Sequence, residues 1–338
     1  MPQQDNRLPE LSAWLDQQLA ELFKRRGWGE VPPAALIPAS SDASFRRYFR
    51  WEAEGRSLVV MDAPPPQEDC RPFVKVAGYL AEAGLNVPEI LAQDVERGFL
   101  LLCDLGRQTY LDVIDGDNAD SLFSDAIQAL VALQKLPVSL PLPAYDEALL
   151  RRELQLFPEW YVQRHLGCAF SAAELQVWER TCDLLIASAL RQPKVVVHRD
   201  YMPRNLMIGT PNPGVLDFQD AVVGPVTYDI TSLFKDAFLS WPEECVQHWL
   251  KQYWDSARAA GIPVQDGYAE FHHASDLMGL QRHLKVIGIF ARICHRDGKP
   301  RYLADVPRFF AYIEEVTARR PELAELRTLL QGLPQVRP

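Results

Sequence analysis

The spacing of apolar residues changes character once along this chain, and that change restricts the fold more than any other feature. Up to Leu102 they come mostly in short runs of strand length; beyond it they recur at helical spacing. The chain starts with an amphipathic helix over Leu8 to Phe23, where Leu11, Leu15, Leu19 and Leu22 share one face and Gly27 and Gly29 mark the stop. Strands follow at Ala35-Leu36-Ile37, Arg46 to Ala53 and Ser57 to Met61. Glu54-Gly55 joins the last two as a hairpin turn, and Pro64-Pro65-Pro66 closes the block. Phe73 to Ala83 reads as helix, and Glu89 to Leu91 and Phe99 to Leu102 as strands. Then Ser121–Gln134, Tyr145–His165, Ser171–Leu190, Ser240–Ala260 and Ala269–His295 all carry helical periodicity. The expected class is α+β, with a small antiparallel-sheet lobe over residues 1–102 and a larger, mainly helical lobe over 103–330. The tail from Gln331 to Pro338 is expected to fray.

Composition fits such a body. The chain has 338 residues, 48% of them hydrophobic, which suffices for a core in more than one lobe. A net charge of −10 argues against a duplex nucleic-acid partner, which calls for a basic face. The six cysteines are scattered with no Cys-x-x-Cys pair, as expected of reduced thiols in a cytoplasmic protein. The first residues are polar, and no run approaches the ~20 apolar residues that span a bilayer, so neither a membrane nor an export signal is expected.

One strand-like run carries chemistry. Val195-Val196-Val197 ends in His198-Arg199-Asp200, Asn205 stands five residues after that Asp, and Asp217 follows twelve residues later in Gly214-Val215-Leu216-Asp217-Phe218. Phosphoryl transfer from ATP needs an acceptor hydroxyl held in line, charge on the triphosphate neutralised, and water kept out. Asp200 suits the first task, because a carboxylate just after a strand can take the hydroxyl hydrogen. Asn205 and Asp217 offer the hard oxygen ligands that Mg²⁺ prefers. Pro203 stiffens the loop, and His198 and Arg199 brace it. A second triplet, His295-Arg296-Asp297, follows a helical segment and has Tyr302 where the metal-ligand Asn would stand, so it is not a second catalytic loop.

These residues, with Leu216-Asp217-Phe218 and Tyr228-Asp229-Ile230, resemble the aminoglycoside phosphotransferase and choline kinase-like family. The resemblance implies a two-lobed fold like that of protein kinases, with Asp229 bracing the catalytic region. Ser41 to Arg50, Val60-Met61-Asp62-Ala63-Pro64, Gly214 to Ala221 and Asp229 to Leu233 are similar to a bacterial subgroup of anomeric amino-sugar kinases. That likeness runs from about residue 10 to residue 325. It implies transfer from ATP to the C1 hydroxyl of N-acetylmuramate and N-acetylglucosamine. The sugar 1-phosphate would pass to a nucleotidyltransferase making a UDP-sugar in cell-wall recycling.

The chain departs from the family where cations normally meet the phosphates. The third strand has Met61 near the usual lysine, and Met202 stands two residues after the catalytic Asp. The expected replacements are Arg46 and Arg47, which follow a Ser41–Phe45 cover loop whose Ser44 and Phe45 can offer N–H groups. On a strand the two arginines face opposite sides, so only one is expected to reach the phosphates. Adenine is expected at the backbone of Cys103, Asp104 and Leu105. The acceptor candidates are Arg204, Asp220, Asp236, Trp241, Arg292 and His295. ATP and Mg²⁺ are the expected cofactors, and the sequence sets no oligomeric state. Two other readings stand beside this one: a kinase of the same fold acting on an aminoglycoside, choline or amino-acid hydroxyl, and a nucleotide-binding module without transfer. Only about a dozen residues separate Asp217 from Asp229, too few for a protein-kinase activation segment.

Overall fold

In the computed structural model, which describes residues 7–40 and 45–334, helix α1 (Arg7–Arg26) buries Leu11, Trp14, Leu15, Leu19, Leu22 and Phe23. This is the face read from the sequence. It packs on Phe49, Trp51, Leu58, Val60, Phe99 and Leu101 of a five-stranded sheet. Each of these large apolar side chains contributes roughly 1.5–3 kcal/mol when fully buried. The strands are β1 (Ile37–Ser40), β2 (Arg47–Ala53), β3 (Arg56–Asp62), β4 (Ile90–Asp94) and β5 (Phe99–Cys103), in the order β1-β2-β3-β5-β4. Every pairing is antiparallel. Glu54 and Gly55, both at positive φ, make the β2–β3 turn. Helix α2 (Arg71–Glu82) lies between β3 and β4 in the chain.

The chain divides into two compact units. Met1–Arg107 forms the first together with Met207–Asp220, and Gln108–Leu206 with Ala221–Pro338 forms the second. A division at Leu102 leaves out the return of Met207–Asp220, because that segment joins the first unit through contacts far apart in sequence. Asn86 donates to the Pro211 carbonyl at 2.7 Å and its own carbonyl accepts the Val215 N–H at 2.7 Å.

The second unit is mainly helical: α3 (Tyr110–Val113), α4 (Ala119–Gln134), α5 (Glu147–Leu156), α6 (Ala172–Arg191), α7 (Tyr228–Phe234), α8 (Glu243–Ala259), α9 (Tyr268–Asp297), α10 (Val306–Arg319) and α11 (Ala324–Gln331). Among them runs a short antiparallel pair, β6 (Lys194–Val197) with β9 (Val222–Pro225). At β7 (Leu206–Met207) the chain passes from one unit to the other, and it pairs with β8 (Gly214–Val215). The expected helix over 145–165 is two elements, α5 and a π-helix at Phe157–His165, with Pro158 unable to give an N–H to a helical bond. Helices α10 and α11 go beyond the helices expected from the sequence; Pro300 and Pro321 sit in 3₁₀ turns and Pro307 in the first turn of α10, where proline is tolerated. The triplet His295-Arg296-Asp297 ends α9 ahead of Gly298 in the left-handed conformation. Among the described residues no helix is long and apolar enough to cross a membrane, and all six cysteines are free.

Candidate active site

The residues of the candidate catalytic loop begin where β6 ends. The buried Asp229, in the first turn of α7, accepts the backbone N–H of His198 at 2.7 Å and that of Arg199 at 2.9 Å. One carboxylate thus takes both N–H groups that the end of the strand would leave unpaired. Burial pushes the Asp229 carboxyl up to about 7, against those two bonds, which favour its ionised form. Arg199 is held at φ +79°, in the left-handed region that few side chains adopt. Asp200 follows, its N–H donating to His198 Nδ1 at 3.3 Å. The loop closes on itself: Asn205 Nδ2 donates to the Asp200 carbonyl at 2.9 Å, and Pro203–Asn205 is a 3₁₀ turn. Tyr201, fully buried, ties the loop to α4 through the Ala126 carbonyl at 2.8 Å. Asp200, Arg204 and Asn205 therefore share one braced loop of the second unit.

Asp217 stands in the first unit, also at positive φ (+64°). Gln219 Nε2 donates to its Oδ1 at 2.8 Å, and Phe218 packs against Phe73 of α2, the rings tilted by 32° with centres 4.8 Å apart. The two arginines expected to replace the missing lysine part company: β2 begins at Arg47, and Arg46 stands just ahead of the strand rather than on it. Arg47 turns to the buried Asp62, its neighbour across β2 and β3, donating from Nε at 3.0 Å. Arg7 holds the other oxygen of that carboxylate at 2.6 Å. Arg46 lies 3.5 Å from Glu68. Burial works against its charge, but Tyr48, Asp217, Glu68 and Asp220 together hold the guanidinium above its ordinary value. Arg46 therefore shares the field of Asp217, and Arg47 braces the sheet. Ser44 lies outside the described residues; Phe45 is exposed, its N–H bonded to Glu68 at 3.1 Å.

Of the expected adenine contacts, the Cys103 N–H already donates to the Glu89 carbonyl at 2.9 Å. The Asp104 side chain is taken up by Arg50 at 2.6 Å, Ser57 and the Gly106 N–H. Burial alone would raise the Asp104 carboxyl, but Arg50 and Ser57 hold it below the ordinary carboxylate range. Leu105 packs close to Gly214.

The acceptor candidates scatter. Arg204 lies over the Phe238 ring at 5.0 Å and acts on Asp236. Asp236 is 1% exposed; its Oδ1 accepts the Ala237 N–H at 2.6 Å and its Oδ2 has no hydrogen-bond partner. Burial pushes its carboxyl up to about 6, against the pull of Arg282 and Arg204. Trp241 packs edge-on against Phe123 and Trp249. Arg292 and His295 sit in the last turns of α9, about 15 and about 20 Å along the axis from Arg282. His295 pairs there with His165, with nitrogens 3.2 Å apart. Asp220 is exposed in the first unit. Within the second unit, only Arg204 and Asp236 of these candidates are thus brought together beside the loop.

Sequence reasoning missed the ions behind the loop: Glu153 of α5 and Lys285 and Arg282 of α9, all at least nine-tenths buried. The available signal was polar residues at core-facing helical positions, since Gln281, Arg282, His283 and Lys285 all fall on buried faces of α9.

A family model described as the phosphotransferase enzyme family matches residues 35–270. The chain belongs to that family. It is an enzyme, a phosphotransferase, and Asp200, Asn205 and Asp217 fall inside the matched region. An N-acetylmuramate/N-acetylglucosamine kinase of Pseudomonas aeruginosa is 70% identical over 331 residues, covering 98% of each chain. A kinase of the same name from Neisseria meningitidis is 46% identical, over 88% of this chain and 90% of its own. Among solved structures, a choline/ethanolamine kinase family protein from Mesorhizobium loti has a TM-score of 0.61 at 14% identity, covering 95% of this chain and 100% of that one. The gentamicin–APH(2″)-IIa complex has a TM-score of 0.60 at 16% identity, covering 92% and 97%. At such identities the likeness shows the fold alone, and it is the kinase-like α+β fold expected from the sequence.

Proposed function

We propose that this phosphotransferase uses ATP to phosphorylate the anomeric (C1) hydroxyl of N-acetylmuramate and N-acetylglucosamine. The observation that carries the reading is the braced loop, in which Asp229 fixes the backbone ahead of Asp200. The substrate class comes from relatives named N-acetylmuramate/N-acetylglucosamine kinase at up to 70% identity. Asp200 accepts a hydrogen bond from the sugar hydroxyl and orients its oxygen toward the γ-phosphorus. A new O–P bond forms, the bond from the γ-phosphorus to its bridging oxygen breaks, ADP leaves, and the hydroxyl proton passes to the Asp200 carboxylate. Because the transition state is loose, orientation counts for more than basicity.

Asn205 and Asp217 are the residues that would hold Mg²⁺. Both present hard oxygens, Asn205 keeping its amide oxygen for a ligand because its nitrogen is bonded to the Asp200 carbonyl. A bound Mg²⁺ supplies charge neutralisation on the phosphates. Few protein ligands suffice, since Mg²⁺ is usually held by one or two carboxylates, several waters and substrate phosphates. Arg46 supplies the cation that Met61 does not. The sugar 1-phosphate is then a substrate for a nucleotidyltransferase making a UDP-sugar. An ADP-release assay over a panel of acceptors, with the product read by ³¹P NMR, tests this. Phosphate on the anomeric carbon of both amino sugars is expected; transfer only to choline, an aminoglycoside or another hydroxyl of the sugar would overturn it.

A further inference from the structure

Arg199 is the last residue before Asp200 whose backbone N–H Asp229 anchors, and its side chain runs into the interior of the second unit. There Nη2 lies 2.5 Å from Glu153 Oε1, and Lys285 Nζ lies 2.9 Å from the same oxygen. The other Glu153 oxygen accepts the Tyr145 hydroxyl and, at 3.4 Å, Gln281 Nε2. Lys285 also donates to the Tyr228 hydroxyl at 3.0 Å, and Tyr228 begins the helix that carries Asp229. Glu153 is 5% exposed and Lys285 8%. Four donors, two of them a turn apart on α9, therefore fix one carboxylate, and that carboxylate fixes one guanidinium.

Such a cluster is expensive to bury, and replacing it with apolar residues is often neutral or stabilising, so stability alone is a weak reason for it. Two further observations point to the loop. Arg199 sits at positive φ, a conformation that persists only when its surroundings hold it. Glu153, Arg199 and Lys285 together also carry one excess positive charge, and Asp200 acts electrostatically on both cations.

We propose that Glu153 and Lys285 are positioning residues for phosphoryl transfer, clamping the Arg199 side chain and so fixing the direction in which Asp200 leaves the loop. The proposal rests on the reading of Asp200 as the group that orients the acceptor hydroxyl. Neither residue touches substrate. Their signature is a loss of turnover without loss of binding, because a misdirected carboxylate spoils alignment while the nucleotide and sugar contacts stay in place.

The test compares Glu153→Gln and Tyr145→Phe with the unaltered enzyme. Turnover is measured per ATP-binding site, with sites counted by titration calorimetry, so misfolded material is not scored. Glu153→Gln is expected to lower kcat at least tenfold while KM for ATP and for N-acetylglucosamine stays within twofold. Tyr145→Phe keeps every charge and nearly all the volume, removes one donor to Glu153, and is expected to lower kcat a few-fold. If Glu153→Gln does not fold, Tyr145→Phe decides alone. Unchanged kcat per site in the variants that fold, with only a lower melting temperature, would mean the cluster is merely structural. Asp200→Asn run in parallel separates the two claims. If it turns over normally, the reading of Asp200 fails; if it is dead while the cluster variants are normal, only this inference fails.

Discussion

Replacing Gly288 with alanine sets two helical energies against each other inside the second unit. Alanine in a helix interior gains roughly 1 kcal/mol over glycine. Against this, a Cβ at Gly288 would lie 2.4 Å from the Leu156 carbonyl carbon, 2.5 Å from its oxygen and 2.7 Å from its Cβ. Carbon atoms rest about 3.5–4.0 Å apart, so α9 has to retreat by about 1 Å. Overpacking of this kind costs roughly 1–3 kcal/mol, and here backbone would have to move. A second cost comes from position. Lys285 stands three residues before Gly288, and Glu153 three residues before Leu156, so the retreat stretches their 2.9 Å ion pair. Complete loss of a buried partner costs about 3–5 kcal/mol, and a stretch forfeits part of that. The expected net destabilisation is about 2–4 kcal/mol, or a melting temperature lower by roughly 4–16 °C for a unit of this size. Gly78, in α2, is the control: its Cβ would meet nothing within 4 Å, so Gly78→Ala should gain roughly 1 kcal/mol. Thermal and urea unfolding of both variants, with kcat measured alongside, gives the answer. A Gly288→Ala protein as stable as the unaltered one, with full turnover, would refute the close-approach reasoning.

Three other outcomes follow from the same geometry. Because the Asp236 carboxyl is raised to about 6 from an ordinary 3.8, its contribution to stability is fully present below about pH 4 and lost as pH rises through 6. Asp236→Asn should therefore gain on the unaltered protein between pH 4 and 7 by on the order of 3 kcal/mol, and a pH-independent difference in unfolding free energy would contradict it. Arg46→Ala should raise the KM for ATP at least tenfold with little change in melting temperature, and an unchanged KM would remove Arg46 from the phosphate site. Arg47→Ala should do the reverse, costing roughly 1–3 kcal/mol of stability because the buried Asp62 loses one of its two arginines, while the KM for ATP stays put.

What could be read from the sequence was whatever repeats locally. The α1 face and the Glu54-Gly55 hairpin are each set by neighbours within a few residues. The candidate loop was legible as a unit because its residues sit at fixed short spacings from Asp200. Glu153 was not, since its partners Arg199 and Lys285 lie 46 and 132 residues away in the chain and meet it only through the packing of α5 and α9. The return of Met207–Asp220 to the first unit was hidden for the same reason. The π-helix hid behind ordinary helical periodicity, because side-chain spacing says little about a register that slips at Pro158. Among the acceptor candidates, single charges on helices gave no direction. Arg292 and His295 share α9 with Arg282 yet end up at its C-terminal turns.

The most direct measurement pairs ATP binding with transfer in Asp200→Asn and Asp217→Asn. Calorimetry gives the Mg-ATP dissociation constant, and single-turnover product analysis gives the transfer rate to N-acetylglucosamine. Asp200→Asn is expected to bind Mg-ATP within about threefold of the unaltered enzyme and to lose transfer by at least ~100-fold. Asp217→Asn is expected to lose both binding and transfer. Normal transfer by Asp200→Asn, or normal Mg-ATP binding by Asp217→Asn, would contradict the roles drawn from the loop.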